Sequence, residues 1–368
     1  MMNNIQDIRE EKQKFVDRQD IKSMTMEELT KEMEALEQPS FRAKQIYSWL
    51  HEKTVQDFDA MKNLPKTLRR DLAGRYVLFG AKKVQVQESK IDGTRKYLFA
   101  LADGMVIESV WMKYHHGNSV CISSQVGCRM GCRFCASTID GLERNLRPSE
   151  MLSQIYEIQK DTAERVSNVV IMGSGEPMDN YDHVIRFIRL LSAPGGQNIS
   201  QRNITLSTCG IVPGIQKLAG ENLAVTLALS LHAPNDAVRR ELMPIARKYP
   251  LKEVLAACRE YFLTTGRRVT FEYSLVKGVN DNRKEAAELA ALLKGCQGHV
   301  NLIPVNPIKE RNFVQSDRKA VEEFKNVLEK NGIHVTIRRE MGRDIDGACG
   351  QLRKRFLDGS RGDDHEDH

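Results

Sequence analysis

The chain has 368 residues, 41% apolar and 28% charged, with 55 Lys and Arg against 49 Asp and Glu for a net charge of +6. That length supports about two domains with a sizeable core. The composition excludes a disordered, collagen-like or membrane-bundle protein, because no apolar run approaches the ~18 residues of a membrane span. Residues 1–7 carry no apolar stretch of a secretory signal, so the expected compartment is the cytoplasm. The mild positive charge permits a nucleic-acid partner without demanding one.

Residues 1–83 read as a small helical domain. Thr25-Met26-Glu27-Glu28 has the capping-box spacing and opens a helix through Leu36, which Pro39-Ser40 breaks. Ile46, Trp49 and Leu50 recur at i, i+3, i+4 in a second helix, and Pro65 precedes a third with Leu68 and Leu72 on its buried face. Lys66, Arg69 and Arg70 share another face of that third helix, flanked by Lys62 and Arg75. Such a patch is either a solvated face or a set of phosphate contacts.

Residues 84–118 read as a β-meander, with Asp103-Gly104 as a hairpin signal and Gly117-Asn118 as a second turn. From 119 to 350, strand candidates at 120–124, 168–172, 203–207, 224–231, 269–275, 300–305 and 334–338 alternate with helix candidates at 150–160, 181–191, 251–263, 285–293 and 318–330. This alternation predicts an α/β fold, a parallel sheet curling into a partial or full β/α barrel. Residues 351–368 read as a C-terminal tail, its last eight residues carrying four acids and no apolar side chain.

The eight cysteines are not a disulfide framework in a chain of this length without a signal segment. Three of them crowd into Cys128-Arg129-Met130-Gly131-Cys132-Arg133-Phe134-Cys135. Three thiolates on one loop do not complete a tetrahedral zinc site, and no fourth Cys or His stands nearby. They suit three irons of a [4Fe–4S] cluster, with the fourth iron open to a ligand. This spacing resembles the signature of radical S-adenosylmethionine (SAM) enzymes, in which the open iron binds the amino and carboxylate groups of SAM. Further candidates end the strands that follow: Gly175 and Glu176, Ser207, the run Ser230-Leu231-His232, and Asn306. Each alone suits a turn or a packing role. Together they ring the C-terminal edge of the sheet, where β/α folds bind ligands.

Several stretches together resemble the RlmN/Cfr family of radical SAM RNA methyltransferases. They are Cys121-Ile122-Ser123-Ser124-Gln125-Val126-Gly127-Cys128, the cysteine cluster, Gly175-Glu176-Pro177, Ser230-Leu231-His232-Ala233-Pro234-Asn235, and the run from Asp344 to Leu352 that includes Cys349. The resemblance covers nearly the whole chain. It implies a partial (β/α)6 barrel with a helical N-terminal accessory domain that binds RNA. It further implies a [4Fe–4S] cluster on Cys128, Cys132 and Cys135, and SAM held by Gly175, Glu176, Ser207, Ser230, Leu231, His232 and Asn306.

The implied reaction methylates C2 of an adenosine in 23S rRNA and tRNA, with C8 methylation as the Cfr-like alternative. An iron–sulfur or zinc module that only binds RNA is the reading from another class, and it has no need of Cys121 or Cys349. Two SAM molecules are used. Cys349 accepts a methyl group from the first, and a radical made from the second activates that group for attack on the base. Glu108 is the implied base, and Cys121 releases the product by forming a transient disulfide with Cys349. An electron donor such as flavodoxin or ferredoxin and a monomeric enzyme are expected. Ser174 and Cys209 depart from residues common in the family.

The spacing of the meander tests part of this picture. A two-residue loop at Asp103-Gly104 would place Glu108 opposite Phe99. A loop at 116–117 or 117–118 would place Cys121 opposite Met112 or Tyr114. Either second loop puts Cys121 on the face of Glu108, because side chains alternate along a strand. Val106 and Val110 flank Glu108 on that face, which argues for burial, a setting that favours proton uptake by a carboxylate.

Overall fold

Short connections that return each strand to its neighbour give a sheet whose spatial order is the chain order. The computed structural model describes residues 18–115, 117–306, 312–345 and 350–363, with side chains as far as Leu357. Its main sheet comprises β1 (Ala81–Glu88), β2 (Arg95–Leu101), β3 (Val106–Tyr114), β4 (Gly117–Cys121), β5 (Val166–Ile171), β6 (Ile204–Thr208), β7 (Thr226–Ser230), β8 (Val269–Leu275), β9 (Gly298–Pro304) and β10 (Val335–Ile337). β1 to β4 pair antiparallel, each with the next. β4 to β10 pair parallel in the same sequential way. β1 and β10 end the sheet without pairing to each other among the described residues, so the barrel is partial.

The N-terminal helices are α1 (Met26–Ala35), α2 (Phe41–His51) and α3 (Lys66–Arg75). α1 starts at the expected capping box: Thr25 Oγ1 accepts from the Glu28 N–H, and Glu28 Oε2 accepts from the Thr25 N–H at 2.8 Å. Around the barrel run α4 (Pro148–Thr162), α5 (Tyr181–Ser192), α6 (Val212–Ala219), α7 (Asp236–Leu242), α8 (Leu251–Thr265), α9 (Arg283–Leu292) and α10 (Arg318–Lys330). α6 and α7 escaped the sequence reading because eight and seven residues show too little periodicity. One apolar core joins Leu29, Ile46 and Leu68 of the N-terminal helices to Leu152, Val169 and Phe187 of the barrel. The last described element, α11 (Gln351–Asp363), occupies positions read as a tail. It docks on the meander, where Leu352 packs on Leu98 and Val106.

The meander differs from the sequence reading at both turns. Leu98, not Phe99, lies opposite Glu108. The connection is a three-residue loop of Ala102, Asp103 and Gly104, closed by Leu101 N–H on Met105 O at 2.8 Å, with Gly104 at φ +87°. The next turn leaves only residues 115 and 116 between the paired Tyr114 and Gly117, so Cys121 lies opposite Val110. That position has the same parity as Met112 and Tyr114. Cys121 therefore shares the face of Glu108, as expected, through a different partner.

Candidate active site

Parallel strands end on one side of a sheet, and the loops that follow β4 to β10 enclose a cavity of about 570 Å³. Cys128, Cys132 and Cys135 all line it, as do Gly175, Glu176, Ser207, Ser230, His232 and Asn306. Cys121 closes the side nearest the meander with Val110 and Met112. Residues as far apart in sequence as Val110 and Gln351 thus face one space.

The cysteine loop is pinned before it can hold anything. Its first strand, Gln125–Gly127, pairs with Leu142–Asn145, and the Cys128 N–H donates to Gly141 O at 2.7 Å. The Arg133 N–H donates to Leu242 O at the end of α7, 2.9 Å away. Thr138 Oγ1 donates to the carbonyls of Cys132 and Cys135. Burial pushes the Cys128 thiol up to about 12 and the Cys132 thiol well above its usual range, and the neighbouring thiols push both further. Two buried thiols and a half-buried third, crowded on one loop, suit a multiply charged cation once deprotonated. Among the described residues no three Cys, His, Asp or Glu side chains close on a single metal ion. An iron–sulfur cubane, which spans several ångströms, fits this loop better than one zinc.

Beside the cysteines a glycine lets the loop after β5 pack closely on residues 124 and 125. A Cβ on Gly175, at φ +111°, would lie 2.7 Å from the Gln125 side chain. Glu176 is buried, and burial raises its proton affinity, partly offset by hydrogen bonds from the N–H groups of Cys209 at 2.7 Å and Met178 at 3.0 Å. His232 is buried with φ +54°. Burial lowers its pKa to about 3, so the ring is neutral, and Nδ1 accepts from the Ser274 N–H at 2.9 Å. This leaves Nε2 protonated.

Leu231 corrects an expectation. Its side chain lies in the main apolar core and does not line the cavity. Alternation along the strand turns Leu231 inward between Ser230 and His232. Arg69 is a second correction: its side chain is only 14% exposed and is paired with Asp59 at 3.2 Å, while Lys66 and Arg70 remain exposed. Of the two departures noted in the sequence, Cys209 lines the cavity, whereas Ser174 is buried with its Oγ 2.9 Å from Ser137 Oγ.

Glu108 is 3% exposed, but it is not alone in an apolar pocket. The fully buried Lys96 ammonium lies 3.1 Å from Glu108 Oε1, which also accepts the Gly350 N–H. Oε2 accepts the Arg353 N–H at 3.1 Å. The carboxylate therefore caps the start of α11, immediately after Cys349. Cys349 itself lies outside the described residues.

Three buried polar residues were missed in the sequence. Lys96 was hidden by the hairpin register. Arg239 is fully buried, and its guanidinium donates to Cys209 O at 2.7 Å, Leu231 O at 3.2 Å and Ser230 O at 3.3 Å, tying together the ends of β6 and β7. Nothing in the sequence marks it, because arginine reads as a surface residue. Glu272 lines the cavity on β8, whose residues are all buried, and accepts from Asn301 Nδ2 at 2.9 Å. A carboxylate inside a fully buried strand was a legible signal.

Comparison with known proteins agrees with this geometry. Residues 122–290 match the Radical SAM superfamily, and residues 19–78 match the ribosomal RNA large subunit methyltransferase N-terminal domain. The chain is 61% identical over 346 residues to a probable dual-specificity RNA methyltransferase RlmN of Lachnoclostridium phytofermentans, covering 94% of this chain and 97% of that one. It is 62% identical to the protein of the same description from Lachnospira eligens, covering 92% and 97%. A crystal structure of a radical SAM methyltransferase from Sphaerobacter thermophilus superposes with a TM-score of 0.86 at 44% identity, covering 90% of this chain and 98% of that one. With the cysteine loop, the strand-end ligand groups and the N-terminal helices all matched in this way, the chain belongs to the RlmN family of dual-specificity radical SAM RNA methyltransferases.

Proposed function

We propose that this enzyme methylates C2 of an adenosine in 23S rRNA and in tRNA, acting in the cytoplasm as a monomer with a flavodoxin- or ferredoxin-type electron donor. The observation that carries the reading is one cavity lined at once by Cys128, Cys132 and Cys135, by the strand-end groups and by the thiol of Cys121. In this reading the three cysteines hold a [4Fe–4S] cluster and the adjoining cavity holds SAM. When bound, that pair supplies the methyl group and the one-electron chemistry needed for a carbon that is not nucleophilic.

The chain's own residues do the rest. Glu176, anchored by two backbone N–H groups, accepts from the ligand ammonium. Ser207, Ser230 and Asn306 offer hydroxyl and amide groups, and neutral His232 presents an Nε2–H donor. Glu108 takes the proton that leaves adenine C2, and its carboxylate also accepts from the N–H groups of Gly350 and Arg353. In this reading Cys121 attacks the sulfur of Cys349, forming the transient disulfide as the sulfur's bond to the methylene carbon on the base breaks. Lys66 and Arg70 on α3 remain candidate phosphate contacts.

The test is mass spectrometry of nucleosides from tRNA and 23S rRNA treated with the anaerobically reconstituted, reduced enzyme. The reading expects 2-methyladenosine in both RNAs. Exclusive 8-methyladenosine would assign the other carbon, and unmodified RNA from an enzyme that still cleaves SAM would overturn the function.

A further inference from the structure

The cavity has two unlike walls. Met130 and Phe134 line it beside the cysteines, and the segment that follows edge strand β10 lines it where Met341 packs with Cys121 and Val110. Among the described residues, the only Lys or Arg side chains lining the cavity are Arg338, Arg339 and Arg343, all within six residues of each other. Arg343 is paired with Glu340 at 2.5 Å. Arg338 and Arg339 are exposed, and among the described residues neither forms a salt bridge, though the charge of Arg338 acts on Glu272 in the same cavity. A target base that enters this cavity must bring its phosphates to the mouth, because ribose and phosphate cannot follow a base into so small a space.

We propose that Arg338 and Arg339 form an RNA-binding lip that grips the backbone phosphates flanking the target adenosine and so admits the base to the cavity. The proposal rests on the RNA-methylating function and adds the surface that positions the substrate. Two features favour phosphate as the occupant. Among the described residues neither guanidinium is held in a salt bridge, although the charge of Arg338 reaches the Glu272 carboxylate, and both arginines directly follow the edge strand of the sheet. Arginine is suited to phosphate because its planar fork binds two oxygens at once. The patch on α3 is poorer in this respect, since Asp59 engages Arg69.

The experiment measures binding of an unmodified tRNA transcript by fluorescence anisotropy between about 50 and about 300 mM KCl. It compares the parent with Arg338→Gln/Arg339→Gln and with Lys66→Gln/Arg70→Gln. Loss of two phosphate contacts should flatten the log–log salt slope by roughly 1.4–1.8 and weaken binding roughly 25- to 60-fold at about 0.1 M salt. Steady-state methylation by the lip variant should show the loss mainly in KM for RNA. Circular dichroism verifies folding, which these exposed positions should not disturb. A parent-like slope and affinity in the lip variant would overturn the proposal, as would weakened binding of SAM with RNA binding intact. A parent enzyme that binds tRNA without salt dependence would overturn the functional reading as well.

Discussion

Replacing Lys96 by Met tests whether Glu108 is held by a buried ion pair. The ammonium is fully buried, its partner is 3% exposed, and the pair is 3.1 Å apart. Removing one partner of such a pair costs about 3–5 kcal/mol, because the other charge stays buried and uncompensated. Glu108 keeps the N–H groups of Gly350 and Arg353, so the lower half of that range is expected. For a chain of 368 residues, an unfolding entropy of about 2 cal/mol/K per residue turns this cost into a fall in Tm of roughly 4–6 °C. Removing both partners, as in Lys96→Met/Glu108→Gln, should recover most of the loss, since no buried charge remains. The assay is calorimetric melting of the parent, both single variants and the double variant, with the coupling energy taken from the cycle. Within about 1 °C of the parent for Lys96→Met, or additive losses in the double variant, the ion-pair account of Glu108 fails.

Three other perturbations probe the site and the stability of the fold. Cys121→Ala should accumulate a covalent protein–RNA complex, visible as nuclease-sensitive heterogeneity on a denaturing gel, and clean protein with undiminished product would exclude the resolving role. Gly175→Ala places a Cβ 2.7 Å from Gln125 at φ +111°, so SAM binding measured by equilibrium dialysis should weaken roughly 5- to 160-fold, for about 1–3 kcal/mol of strain and displacement. Burial lowers the pKa of both His51 and His232 from 6.5 to about 3, so the unfolded chain takes up protons that the folded one refuses. Stability should therefore fall as the pH drops below 6.5, by about 2–3 kcal/mol for the two together between about pH 7.5 and about pH 5.5, and His51→Gln should halve that slope in urea titrations.

What the sequence by itself determined was local. The cysteine motif spans eight residues, so a loop must bring its thiols together whatever the rest of the chain does. Strand candidates were legible because apolar β-branched runs leave little choice inside a barrel, and the span at 269–275 coincides with β8. Strand ends in a sequential parallel sheet all lie on one side, which is why Glu176, Ser207, Ser230, His232 and Asn306 could be gathered before any contact was known. The shared face of Cys121 and Glu108 was also legible, since shifting the turn by two pairing positions preserves parity.

What only the tertiary structure decided turns on single-residue shifts and on charges that burial hides. An Asp-Gly pair fits a two-residue turn or the end of a three-residue one, and the structure has the latter. That slip of one turns every side chain of β2 to the other face. With Phe99 opposite Glu108, Lys96 would face away, whereas with Leu98 there Lys96 meets the carboxylate. The inward turn of Leu231, the burial of Arg239 and the Arg69–Asp59 pair are likewise products of packing between distant segments. A charged side chain in a sequence reads as solvated by default, and only the assembled barrel shows which charges lie in its wall and which stand at its mouth.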